Sequence, residues 1–133
     1  NVTVRHMPLN MHANAVPAAL AVEAAEAQGK HVEMANKLFA AQNDWKNIQE
    51  RSKLRTIFND YAKELGLNVE EFDKVLLASD TVKPTQRDYE HAVKIGVKGT
   101  PTFAVNDKVI EGLDSSSSVD DLVSTFKREA GVK

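Results

Sequence analysis

Apolar positions recur along this chain with two different spacings. Val2 and Val4 alternate with Thr3 and Arg5 in the period of a strand, and Pro8 halts the run, so a strand is predicted over about residues 2–7. The period then becomes helical. Asn14 is placed to cap a first helix that runs to about Gln28, with Pro17 inside its first turn and Gly29 ending it. That helix is mostly alanine with Val16, Leu20 and Val22, while Glu23 and Glu26 mark its wet side. Val32, Ala35, Leu38 and Phe39 predict a second helix over His31–Gln42. Leu54, Ile57, Phe58, Tyr61, Ala62 and Leu65 form a third stripe that stops at Gly66. Asn68, with Glu71 three residues on, opens a short helix carrying Phe72, Val75 and Leu76. Pro84 disfavours helical geometry at Lys83, so a further helix is expected to start near there and carry Tyr89, Ala92, Val93 and Ile95.

Period two then returns. Gly99-Thr100-Pro101 leads into Thr102-Phe103-Ala104-Val105, Asn106-Asp107 makes a tight reversal, and Lys108 to Glu111 comes back alongside, which predicts a β-hairpin entered through proline. Proline has no amide hydrogen and belongs where a strand begins, which is where Pro101 stands. Asp114-Ser115-Ser116-Ser117-Ser118 is a polar loop, and Ser118 with Asp121 caps a last helix whose Leu122, Val123 and Phe126 face inward. No internal repeat is present.

Composition narrows the chemistry by exclusion. The 133 residues are 42% hydrophobic and 27% charged, values of a single globular domain. Seventeen basic and nineteen acidic residues give a net charge of −2 without a long run of either sign, so neither nucleic acid nor an anionic membrane is called for. No apolar stretch approaches the roughly 18–20 residues of a membrane span, and the first residues do not read as a signal peptide. There is no cysteine, which excludes disulfides and thiol catalysis within the chain. His6, His12, His31 and His91 lack metal-ligand spacing, and no Gly-X-Ser-X-Gly surrounds any serine. No metal, cofactor or catalytic residue is therefore expected. Trp45 could line a peptide groove, but a core or helix-junction role is the preferred reading.

Two stretches carry a resemblance. A helix ending in Ile95-Gly96-Val97, followed by Gly99-Thr100-Pro101-Thr102-Phe103 and a hairpin, resembles the cis-proline segment of thioredoxin-fold proteins, the DsbA-like disulfide oxidoreductases most of all. His6-Met7-Pro8-Leu9-Asn10-Met11-His12-Ala13-Asn14-Ala15, then Ala24-Ala25, Gln28-Gly29-Lys30 and Leu38-Phe39, is similar to that family's second strand and following helix. The resemblance implies an α/β thioredoxin-like domain with an all-helical insertion: residues 1–29 a strand plus helix, 30–83 the insertion, 84–133 a helix, the cis-proline hairpin and the C-terminal helix. It implies a cis bond before Pro101. It also implies that Gly99, Thr100 and Pro101 form a substrate-binding loop, the Thr100 backbone pairing with an extended or unfolded polypeptide. An extracytoplasmic location, periplasm or cell surface, follows from the resemblance alone.

The family's reaction needs a Cys-X-X-Cys pair, on a helix after a central strand, and this chain contains neither. The domain then reads as incomplete and redox-inactive on its own. Such a gap strands backbone donors and acceptors, at about 1–3 kcal/mol for each buried group left unpaired. The missing segment lies elsewhere, or the strand at 2–7 pairs with 102–105, or the naked edges drive self-association. The rival reading is a cysteine-free thioredoxin-like module that binds peptides or a partner without catalysis. A weaker one is an isomerase or glutathione-transferase relative working through a bound thiol cofactor.

Overall fold

A computed structural model of the chain describes residues 1–132. They form two compact units, Asn1–Asp88 and Tyr89–Lys133, the second described to residue 132. The first unit is helical. It holds α1 (Ala15–Glu26), α2 (His31–Ala40), the single turn α3 (Gln42–Trp45), α4 (Arg51–Glu64) and α5 (Val69–Leu76). A 3₁₀ turn (Ser79–Thr81) then leads into α6 (Val82–Lys94), inside which the boundary falls. The second unit adds β1 (Phe103–Val105), β2 (Lys108–Ile110) and α7 (Val119–Glu129).

The alanines of α1 explain its place in the core. Ala21, Ala24 and Ala25 are fully buried, because a side chain of one methyl lets neighbouring helices come close. Around them pack Met34 and Leu38 of α2, Trp45, Leu54 and Phe58 of α4, Leu67, and Phe72 of α5. Trp45 is buried edge-on to Phe58, ring centroids 6.1 Å apart, and its indole N–H donates to the Leu38 carbonyl at 3.0 Å. It is the core residue the sequence suggests. Helix α4 ends in a Schellman motif: Gly66 takes φ +73°, its N–H donates to Lys63 O, and Leu67 N–H donates to Ala62 O.

Several expectations are corrected. Residues 2–7 form no strand. A strand needs a neighbour for its backbone groups, and the hairpin is the whole sheet among the described residues. Val2 and Val4 are 86% and 72% exposed, and the segment is held by side chains instead. Asp88 accepts from the His6 N–H at 2.9 Å and from Arg5 at 3.1 Å, while His6 Nε2 lies 3.0 Å from Glu23. Asn14 does not cap α1. Its side-chain amide donates to the carbonyls of Trp45 and Ile48, both at 2.8 Å, fixing the turn after α3.

On α2 the buried line is Met34 and Leu38, and Val32 and Phe39 face solvent at 63% and 76% exposure. The helix is apolar over a wider arc than the neighbouring helices cover. Helix α6 begins at Val82, two residues ahead of Pro84. In a first turn proline removes no intrahelical hydrogen bond, so Lys83 can be helical despite preceding it. Val123 of α7 is exposed, whereas Leu122 and Phe126 are partly buried.

Candidate functional site

The second unit is organised about one loop. Helix α6 ends in another Schellman motif, Gly96 at φ +86°, with Gly96 N–H donating to Val93 O and Val97 N–H to Ala92 O. That motif turns the chain sharply into Val97–Thr102. The loop is pinned again where β1 starts: the Phe103 ring lies against Phe126 of α7, centroids 5.8 Å apart, and Phe103 pairs with Ile110 across the antiparallel ladder. At the far end, Asn106 and Asp107 take φ +49° and +64°, left-handed values that these two residue types tolerate best after glycine. His91 of α6 contacts Asp107 at 2.9 Å, and Lys108 reaches Glu129 of α7 at 2.9 Å. The Glu129 carboxyl is held below its ordinary value chiefly by that lysine.

Between these anchors the loop borders an open concavity of about 550 Å³. Gly99, Thr100 and Pro101 line it together, with Lys98, Thr102, Val109 and Glu111 among the other walls. Thr100 and Pro101 are exposed and Gly99 is partly so. The Thr100–Pro101 bond is cis, the isomer that the resemblance implies. Neither the N–H nor the C=O of Thr100 has a hydrogen-bond partner among the described residues. The Thr102 hydroxyl donates to the Gly99 carbonyl at 2.6 Å.

Chemically the arrangement offers an exposed backbone N–H and C=O at Thr100, bordered by one cation and one anion, with no thiol. Sequence alone does not single out Thr102, Val109 or Glu111. For Thr102 a signal exists, a hydroxyl three residues after a glycine, the spacing of a local side-chain turn. Val109 lies on β2 and Glu111 one residue past its end, and both reach the concavity only through the hairpin's pairing. Of the histidines, His6 and His31 lie ring to ring at 5.8 Å in the first unit, and His91 belongs to the second. Among the described residues no group of three His, Cys, Asp or Glu side chains is arranged to hold a metal ion.

The sequence matches the family profile of the DSBA-like thioredoxin domain over residues 2–125. The chain belongs to that family. Curated relatives include the Na(+)/H(+) antiporter NhaA 1 of Mycobacterium sp. (strain KMS), 36% identical over 113 residues, which are 81% of this chain and 17% of the antiporter. The Na(+)/H(+) antiporter NhaA 1 of Mycolicibacterium vanbaalenii is 36% identical over 107 residues, 77% of this chain and 16% of that protein. The Na(+)/H(+) antiporter NhaA of Herminiimonas arsenicoxydans is 33% identical over 125 residues, 94% of this chain and 18% of the relative. This DSBA-like chain thus spans under a fifth of the length of the relatives it matches. No solved structure matches it. Among the described residues no helix is long and apolar enough to cross a membrane.

Proposed function

We propose that this DSBA-like chain supplies the polypeptide-binding side of a thiol–disulfide exchange site, and that Gly99, Thr100 and Pro101 are the residues that meet substrate. The observation that carries this is the Thr100 backbone, whose N–H and C=O are both unpaired among the described residues and set on the rim of the concavity. An extended polypeptide laid alongside would complete both hydrogen bonds, as an added strand does at a sheet edge. Such pairing is indifferent to side chains and suits unfolded substrates. Lys98 and Glu111 then border the bound chain with opposite charges.

In the exchange reaction a thiolate attacks one sulfur of a disulfide, the S–S bond breaks, and the other sulfur leaves as a thiolate. A second thiolate then attacks the mixed disulfide and releases the product. These 133 residues include no cysteine, so both thiols come from a separate polypeptide segment or a small molecule. By itself the chain exchanges no disulfide. Residues 30–83 serve in this reading as the all-helical insertion of one thioredoxin-like domain, between 1–29 and 84–133. The site of action is extracytoplasmic, on family grounds. The free sides of β1 and β2 accept a further strand, from a second copy or from a separate segment. Ion transport is the named activity of far longer proteins and is not transferred to this chain.

The test is a titration of isotope-labelled chain with S-carboxymethylated insulin B chain, an extended polypeptide without free thiols. Amide shifts confined to residues 97–100, 102 and 109–111 are expected. Shifts absent from that loop at saturating peptide would overturn the site. In parallel, insulin reduction by dithiothreitol should proceed at the rate seen in buffer alone, and acceleration by the chain would contradict the reading.

A further inference from the structure

A peptide unit is planar, and in its trans form the carbonyl and the N–H point in opposite directions. Whatever holds the Gly99 carbonyl therefore also aims the Thr100 N–H, because the two belong to one peptide unit, and that unit is trans. The Gly99 carbonyl accepts from the Thr102 hydroxyl at 2.6 Å. No other hydrogen bond holds this unit among the described residues. Gly99 has no side chain to restrict it, a Cβ built there would meet nothing within 4 Å, and the Thr100 N–H has no acceptor. Free rotation about the bonds flanking the unit would turn the N–H away from any ligand. Thr102 is itself well placed to act as a fixed point. It is partly buried, its β-branched side chain has few rotamers, and it precedes Phe103, which is secured to Phe126 and Ile110.

We infer that Thr102 is a positioning residue, whose hydroxyl holds the Gly99–Thr100 peptide unit with the Thr100 N–H directed away from Thr102 and presented to polypeptide. The second half of this inference rests on the proposed function above. The first half does not. Thr102→Val keeps the shape and removes the hydroxyl, and Thr102→Ser keeps the hydroxyl and removes the methyl.

In the valine variant the residual dipolar coupling of the Thr100 N–H should shrink toward an average over several orientations. Binding of S-carboxymethylated insulin B chain should weaken roughly three- to tenfold, the worth of one net hydrogen bond. The serine variant should stay within about twofold of the parent in affinity and keep its coupling. Urea midpoints of both variants separate a loss of binding from a loss of folding, and Thr102→Ala replaces valine if valine does not fold. An unchanged Thr100 coupling in the hydroxyl-free variant overturns the inference. So does equal weakening by valine and serine. A changed coupling in a chain whose parent form binds no B chain removes the polypeptide site and leaves Thr102's hold on the peptide unit standing.

Discussion

Asp73 on α5 joins two helices through its carboxylate, accepting from Arg55 Nε at 2.6 Å and from Asn59 Nδ2 at 2.9 Å, while Arg55 Nη2 donates to its second oxygen. The Arg55 hydrogen bonds hold the Asp73 carboxyl below its ordinary value, outweighing the opposite push of burial, and Asn59 adds to them. A depressed carboxyl stabilises the fold fully above its unfolded-state pKa of about 3.9, and that stabilisation is lost as pH falls through the folded value. Asp73→Asn should therefore cost about 0.5–1 kcal/mol near neutrality, low in the range for charged pairs because the arginine is half exposed. Urea midpoints at about pH 7 and pH 3 test this. The gap between parent and variant should narrow at the lower pH, and an equal gap at both would show that the charge is immaterial. Asp73 illustrates what a sequence hides. Nothing at residue 73 marks it, and its partners stand 18 and 14 positions away on a helix brought alongside by packing.

At the scale of elements the local signals are legible and the choice of face is not. Ser118 and Asp121 form a full capping box: the Ser118 hydroxyl accepts from Asp121 N–H at 3.1 Å, and the Asp121 carboxylate accepts from Ser118 N–H at 3.2 Å. Asn68 caps α5 by accepting from Glu71 N–H at 3.1 Å. These caps act within three residues, so the sequence displays them. Ser118→Ala should cost the second unit about 1 kcal/mol. Amide hydrogen exchange in the first turn of α7 should quicken more than exchange in α4. Equal change in both helices would argue against a local cap. The Ser118 hydrogen bonds also hold the Asp121 carboxyl below its ordinary value, so this cap weakens in acid. By contrast Asn14 has the look of a cap and serves three carbonyls of a distant turn. Phe39 has the look of core and is exposed. In both cases the local pattern permits two arrangements, and the neighbour that selects one is remote in sequence.

Across the whole molecule, burial is concentrated in the first unit, where Phe58 and Phe72 are essentially inaccessible, while Ile110 is the one buried apolar side chain described in the second. Phe58→Ala should destabilise the first unit by about 3–5 kcal/mol. Native-state hydrogen exchange should show the loss in α1, α2, α4 and α5, with protection in the hairpin and α7 little altered. Uniform loss through residue 132 would make the chain one cooperative block. The two-stranded sheet, with a free side on each strand, leads us to expect self-association. Light scattering across a dilution series checks it, since a folded monomer persisting from high to low micromolar concentration would rule it out. The sequence by itself determined every α-helix but the single turn α3, the hairpin with its Asn106-Asp107 turn, and the family, because helical periods, caps and turns are encoded within a few residues. Only the tertiary structure decided that residues 2–7 form no strand, that Met34 rather than Phe39 faces the core, and that Thr102 and Glu111 join the loop at 99–101. Each of those outcomes depends on what stands opposite a residue in space, and a strand, a buried face or a concavity has no existence until a second element arrives to form it.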